Sequence, residues 1–138
     1  MNIANDKISV GGIPVADLAQ RFGTPLYVYD EAKIRENYRR VYQTFTKYYP
    51  DFEMFYAVKC CNNPAIVNIM RQEGAGADCA SVNEILLAKS VGLTGEKVMF
   101  SGNFLSDDDI RQGLESGVIF NLDDIPSFPV CSSSVLRK

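Results

Sequence analysis

Hydrophobic and polar positions along this chain change period several times, and each change marks an element. Residues 7–13, K-I-S-V-G-G-I, alternate apolar and polar, which predicts a short strand running into a glycine turn. Pro14 then opens a brief helix with Val15, Leu18, Ala19 and Phe22 on one face, stopped by Gly23. Leu26, Tyr27, Val28 and Tyr29 follow as a second strand. Asp30 caps the longest helix, where Ile34, Tyr38, Val41, Tyr42, Phe45 and Tyr48 recur at helical spacing until Pro50 ends it.

From Phe55 the pattern becomes regular. Strand-like runs begin at Phe55 (F-Y-A-V-K), Ala77 (A-D-C-A-S), Val98 (V-M-F-S-G) and Ile119 (I-F-N-L-D), at intervals of 22, 21 and 21 residues. Amphipathic helix signals lie between them, each with its own punctuation. Asn63 and Pro64 start the first and Gly74 follows it. Ser81 starts the second, with Glu84 three residues on as a capping box, and Gly92 follows. Ser106 caps the third, with Asp109 at the third helical position, a Leu105–Ile110 staple, and Gly117 as terminator. Such βα alternation demands parallel strands and right-handed crossovers, which doubly wound sheets and (β/α)8 barrels both satisfy. No G-x-G-x-x-G opens any of the helices, which disfavours a dinucleotide-binding sheet. After Asp124 a fourth helix is due, but Pro126 and Pro129 intervene, and 126–138 reads as an irregular, altered or truncated tail.

Strand ends are where α/β barrels place their chemistry. Here they carry Lys59, Ser81, the Ser101–Asn103 turn and Asp123. A strand-end lysine is commonly a solvated or snorkelling side chain. It can also be an amine that attacks a carbonyl and holds a cofactor as a Schiff base. Asp78, within a strand between small residues, needs a cation or several donors, and Lys59 on the neighbouring strand is the candidate cation. Glu84 has a structural role available in the capping box.

Composition narrows the classes. A net charge of -3 leaves no electrostatic footprint for nucleic acid or an anionic membrane. No run is long enough to span a bilayer, and the polar start is not a signal peptide. The four cysteines, with no histidine anywhere, give no metal-ligand spacing and read as reduced thiols of a cytoplasmic protein. Any imidazole chemistry must come from outside this chain.

F-Y-A-V-K around Lys59 resembles the Y-A-x-K segment of the fold-type III enzymes that use pyridoxal 5'-phosphate (PLP). These include the alanine racemases and the decarboxylases of diaminopimelate, ornithine and arginine. A-D-C-A-S-x-x-E, Ala77 to Glu84, is similar to the segment that follows the PLP lysine, closest in lettering to ornithine decarboxylases. G-T-P-L-Y-V-Y-D at 23–30, S-G-N-F at 101–104 and the F-N-L-D ending are similar to the diaminopimelate branch. The resemblance covers roughly residues 8–125. One departure is Lys59-Cys60-Cys61 before Asn62, where many relatives have K-A-N.

The resemblance implies Lys59 as the catalytic Schiff-base residue, with Asp78 and Glu84 near the cofactor. It implies a lead-in over 1–29, the first half of a PLP-binding TIM barrel over 30–125, and a homodimeric parent. A complete barrel takes roughly 250 residues and eight strands, and this chain supplies four candidate strands. The family's glycine-rich phosphate loop and ring-stacking histidine are not among its residues, so residues 1–138 alone are expected to be inactive. The activity implied is decarboxylation of an amino acid, meso-diaminopimelate to lysine and CO2, as a step of lysine biosynthesis. An ornithine- or arginine-type decarboxylase, a racemase, and a non-catalytic PLP-binding or regulatory homologue are the alternatives.

Overall fold

A computed structural model describes residues 2–4 and 7–123, with side chains from Ile8 onward. Three short strands open the chain: β1 (Asn2–Ala4), β2 (Lys7–Val10) and β3 (Ile13–Pro14), paired antiparallel in that order. Gly11 and Gly12 both hold positive φ, 57° and 81°, and make the tight reversal between β2 and β3 that the G-G pair predicts. Pro14 precedes α1 (Val15–Phe22), and Gly23 follows it at φ 79°.

The expected second strand at 26–29 does not form. These residues run without ladder partners, and Tyr27 is 90% exposed. The apolar, β-prone lettering is present, but among the described residues no neighbouring strand offers the hydrogen bonds that make a strand.

Asp30 accepts from the Lys33 amide and starts α2 (Glu31–Thr46). The helix stops four residues before Pro50. Of its expected apolar face only Tyr38 is buried, while Val41, Tyr42 and Phe45 stay exposed. Tyr42 and Phe45 instead pack against Phe52, the latter stacked at 4.7 Å between ring centroids.

The rest is a parallel sheet of β4 (Phe55–Ala57), β5 (Gly76–Cys79), β6 (Val98–Phe100) and β7 (Ile119–Phe120), in sequential order. Between the strands come α3 (Pro64–Gln72), α4 (Val82–Ser90) and α5 (Asp107–Glu115). All four expected strands and all three expected helices are present, with Asn63, Ser81 and Ser106 as N-caps.

Register fixes which side chains share a face. Ala57 lies opposite Asp78, Asp78 opposite Met99, and Met99 opposite Ile119. The alternate residues Tyr56, Ala77, Cys79, Val98, Phe100 and Phe120 therefore point the other way. That second face is the dry one. It packs with Val67 of α3 and Ile85 and Ala88 of α4, and Ala77, Cys79, Val98 and Phe100 have no exposed surface. The Ala57–Asp78–Met99–Ile119 face is left half-buried to exposed among the described residues. Helices on one face and sequential strand order are what an arc of barrel wall requires. A doubly wound sheet would carry helices on both faces.

Among the described residues no helix is long and apolar enough to cross a membrane. The expected tail, 126–138, lies outside the described residues.

Candidate functional site

Parallel strands point their C-terminal ends the same way, so the residues just past β4, β5, β6 and β7 collect along one edge of the sheet. Lys59 is among them, though not as the last residue of a strand. β4 ends at Ala57, and Val58–Cys60 form a single 3-10 turn. Val58 is fully buried, while Lys59 and Cys60 are exposed. The apolar residue anchors the turn to the core and leaves the amine in the open.

Asp78 sits on the open face of β5, half-buried. Its expected partner is not its partner: among the described residues no ion pair joins Asp78 to Lys59 or to any other cation. The Asp78 carboxylate instead accepts from the hydroxyl of Ser101. Ser101 is two residues beyond Met99, which faces Asp78 in register, so the hydroxyl lies on the same face. The carboxylate needs no buried cation, because that face is not sealed from water. The Asp78–Ser101 pair was not foreseen in the sequence. Its signal was there, in a serine placed two positions past the residue opposite Asp78.

Glu84 caps, but not as the capping box predicts. Its amide donates to the Ser81 hydroxyl at 3.3 Å, yet its carboxylate accepts from the Ala80 amide at 2.7 Å. The ladder of β5 ends at Cys79, leaving the Ala80 N–H in want of an acceptor. Glu84 thereby ties the end of β5 to the first turn of α4. The Ser106–Asp109 capping box does form in full, and those hydrogen bonds hold the Asp109 carboxyl below its usual range.

Asp123 and the Asn103 end of the turn after β6 are exposed at the same sheet edge. Cys79 takes no part: burial, with the charges of Glu84 and Asp78 nearby, pushes its thiol up to about 12. It stays protonated and inert. Around Lys59 two further contacts appear. The Tyr56 hydroxyl donates to the Cys61 carbonyl at 3.2 Å, and Cys61 Sγ lies 3.6 Å from the Tyr29 hydroxyl. A groove of about 710 Å³ on the outer surface of α2, lined by Glu36, Arg40 and Tyr48 among others, holds none of these residues.

What the edge offers is a primary amine in the open, a carboxylate held by a neutral donor, and small residues between them. Ala57 occupies the sheet row of Asp78, and Ala80 follows two residues after it on the same face. An amine suits an aldehyde, and a carboxylate without an ion-pair partner suits a cationic or protonated group. The donor set fits a pyridoxal cofactor.

Comparison with known proteins reaches the same place. Residues 31–127 match the pyridoxal binding domain of the pyridoxal-dependent decarboxylases. The chain is 43% identical over 121 residues to the diaminopimelate decarboxylase of Methanothermobacter thermautotrophicus, covering 86% of this chain and 28% of that protein. It is 38% identical over 120 residues to that of Bacteroides thetaiotaomicron, covering 86% and 31%. The crystal structure of diaminopimelate decarboxylase from M. jannaschii superposes with a TM-score of 0.91 at 30% identity, over 99% of this chain and 32% of that one. The chain thus spans less than a third of the length of these relatives.

Proposed function

This chain belongs to the pyridoxal-dependent decarboxylases, and we propose that it supplies the lysine-bearing part of the PLP site of an amino-acid decarboxylase acting on meso-diaminopimelate. The exposed Lys59 amine at the C-terminal edge of the parallel sheet, within a match to the pyridoxal binding domain, carries this reading. The names of the relatives at 43% and 38% identity support the substrate.

In this reading Lys59 would hold the cofactor aldehyde through Nζ. Asp78 supports the site electrostatically and takes no part in proton transfer, and the Ser101 hydroxyl donates to its side chain and holds it in place. Glu84 keeps the turn after β5 in shape through the Ala80 amide, so that Asp78 and Ser81 stay in register with the sheet edge. The chemistry that PLP supplies when bound is an aldehyde for amines and a ring that accepts the electron pair left when CO2 departs. A homodimeric, cytoplasmic protein is part of the same proposal, by analogy with the family.

The test is to incubate the full-length parent protein with PLP, reduce with borohydride and map the labelled peptide, then follow CO2 release from diaminopimelate, ornithine and arginine. Label on the Lys59 peptide is expected, with diaminopimelate preferred wherever CO2 is released. Label on Lys89 or Lys97 instead would overturn the assignment. Release from ornithine in preference would favour the ornithine-type reading, for which the A-D-C-A-S lettering and the likeness to the lysine/ornithine decarboxylase of Vibrio vulnificus, at 27% identity and TM-score 0.75, are the support.

A further inference from the structure

Every polar group of Cys61 is engaged, and each tie runs to the turn that carries Lys59 or to the segment beside it. Its amide donates to the Val58 carbonyl at 3.1 Å. Its carbonyl accepts from the Tyr56 hydroxyl at 3.2 Å, and its Sγ is 3.6 Å from the Tyr29 hydroxyl. Tyr56 precedes Lys59 by three residues and Cys61 follows it by two, so the phenol bridges the turn from one side to the other.

A single 3-10 turn has little hydrogen bonding of its own and is held mainly by what surrounds it. Here the surroundings are the buried Val58 on the inside and the Tyr56–Cys61 bond across the opening. Lys59 lies between these two anchors and makes no ion pair among the described residues. The point and bond direction from which its side chain starts are therefore set by the backbone of the turn.

We propose that the Tyr56 hydroxyl, acting through the carbonyl of Cys61, is a positioning group for the Lys59 amine. Tyr29 is a weaker second tie through the Cys61 thiol. The proposal rests on the reading that Lys59 holds PLP, and adds to it the residue that aims the amine. Half-burial of the Tyr56 ring pushes its phenol above the usual tyrosine range, so it remains a donor throughout neutral and mildly alkaline pH. Holding a reacting group within a narrow range of directions is what raises its effective concentration at the partner atom.

The experiment compares the wild type with Tyr56→Phe, both in the full-length parent protein; the substitution keeps the ring and removes only the donor. Val67→Ala, a cut in the same core on α3 that leaves the Tyr56–Cys61 hydrogen bond in place, serves as the control for general destabilisation. Two quantities are read: amide hydrogen exchange at Cys61 against the β5 amides, and the share of borohydride-fixed PLP on Lys59 against Lys89 and Lys97. Tyr56→Phe is expected to speed Cys61 exchange roughly five-fold, the change one lost hydrogen bond brings, while β5 keeps its protection. The Lys59 share of the label should fall by a similar factor. Val67→Ala should speed exchange across the sheet and leave that share unchanged.

An unchanged Lys59 share in Tyr56→Phe, or a rise in exchange spread over β5 as in Val67→Ala, would overturn the positioning role while leaving the PLP reading standing. Wild-type protein with no label on Lys59 would overturn the PLP reading itself, and the positioning role with it.

Discussion

Lys59 follows a residue with no exposed surface, Val58, so its backbone is anchored while its side chain is free to react. Lys59→Arg keeps the charge but removes a nitrogen that can be deprotonated, and covalent PLP labelling at this position should disappear. Persistence of label on the peptide spanning residue 59 would show that the amine is not the attachment point. In the full-length parent, Asp78→Ala should weaken PLP retention, read as faster loss of the cofactor on dialysis, with the melting temperature little changed. Wild-type retention in that variant would make the acid merely structural. Phe104 presents a different case: it is fully exposed yet held at φ 55°, where a side chain is strained. Its ring gains nothing from packing, so Phe104→Gly should stabilise by up to about 1 kcal/mol, and a β-branched Phe104→Val should destabilise by about the same. Urea midpoints of the two variants on opposite sides of the wild type would confirm the strain.

At the scale of elements, α2 and α3 are clasped by an ion-pair cluster without a sequence motif. Glu73, just past α3, accepts from Arg35 at 2.8 Å and from Arg39 at 2.5 Å, and its side chain is only 7% exposed. The hydrogen bonds from Arg39 and Arg35 hold its carboxyl down to about 2, against an ordinary 4.5. The unfolded chain then binds more protons than the folded one between those two values. The clasp's contribution is fully present above about pH 4.5 and is lost as pH falls toward about 2. The gap in melting temperature between wild type and Glu73→Gln should accordingly be constant near neutrality and close across that window. A gap that persists at pH 2 would assign the effect to packing. In α5, Gly113 sits against two rings: a Cβ there would lie 2.6 Å from Phe120 and 2.7 Å from Phe100. Alanine gains up to about 1 kcal/mol of helix propensity, but overpacking costs about 1–3 kcal/mol. Phe100 is fully buried and set edge-on to Phe120 at 5.1 Å, so neither ring can retreat cheaply. Gly113→Ala should be net destabilising in thermal melts.

At the scale of the whole molecule, the parallel sheet has helices on one face and, among the described residues, none on the other. Its outer strands β4 and β7 each pair on one side only among the described residues. Unpaired strand edges beside an apolar face invite association. The chain on its own is expected to run above monomer mass in light scattering, increasingly so with concentration. A monodisperse monomer with a sharp melt would show that the open face is compatible with a lone chain. The half-barrel expectation is met in the strand order and in the single helical layer, and the lead-in is where it departs. The segment at 26–29, read as a strand, runs unpaired over the surface, with Tyr29 near Cys61.

Much of this was written in local pattern. Helix caps at Asn63, Ser81 and Ser106, glycine stops at 74, 92 and 117, and four strands at a spacing of 21–22 residues depend on neighbours in sequence, and local rules suffice for them. The family was legible for the same reason, because the F-Y-A-V-K and A-D-C-A-S segments are each contiguous, and both lie within the match to the pyridoxal binding domain. The tertiary structure decided whatever needs two distant segments to meet. Ser101, not Lys59, became the partner of Asp78 because parallel register brings positions 23 residues apart onto one face. Glu84 reached past its cap to Ala80 because the β5 ladder ends one residue short. Residues 26–29 had a strand's lettering but no strand to pair with, and Glu73 drew two arginines from another helix. Sequence pattern specifies which backbone shape each segment prefers. Which polar groups satisfy one another is settled only when folding sets the distances between segments.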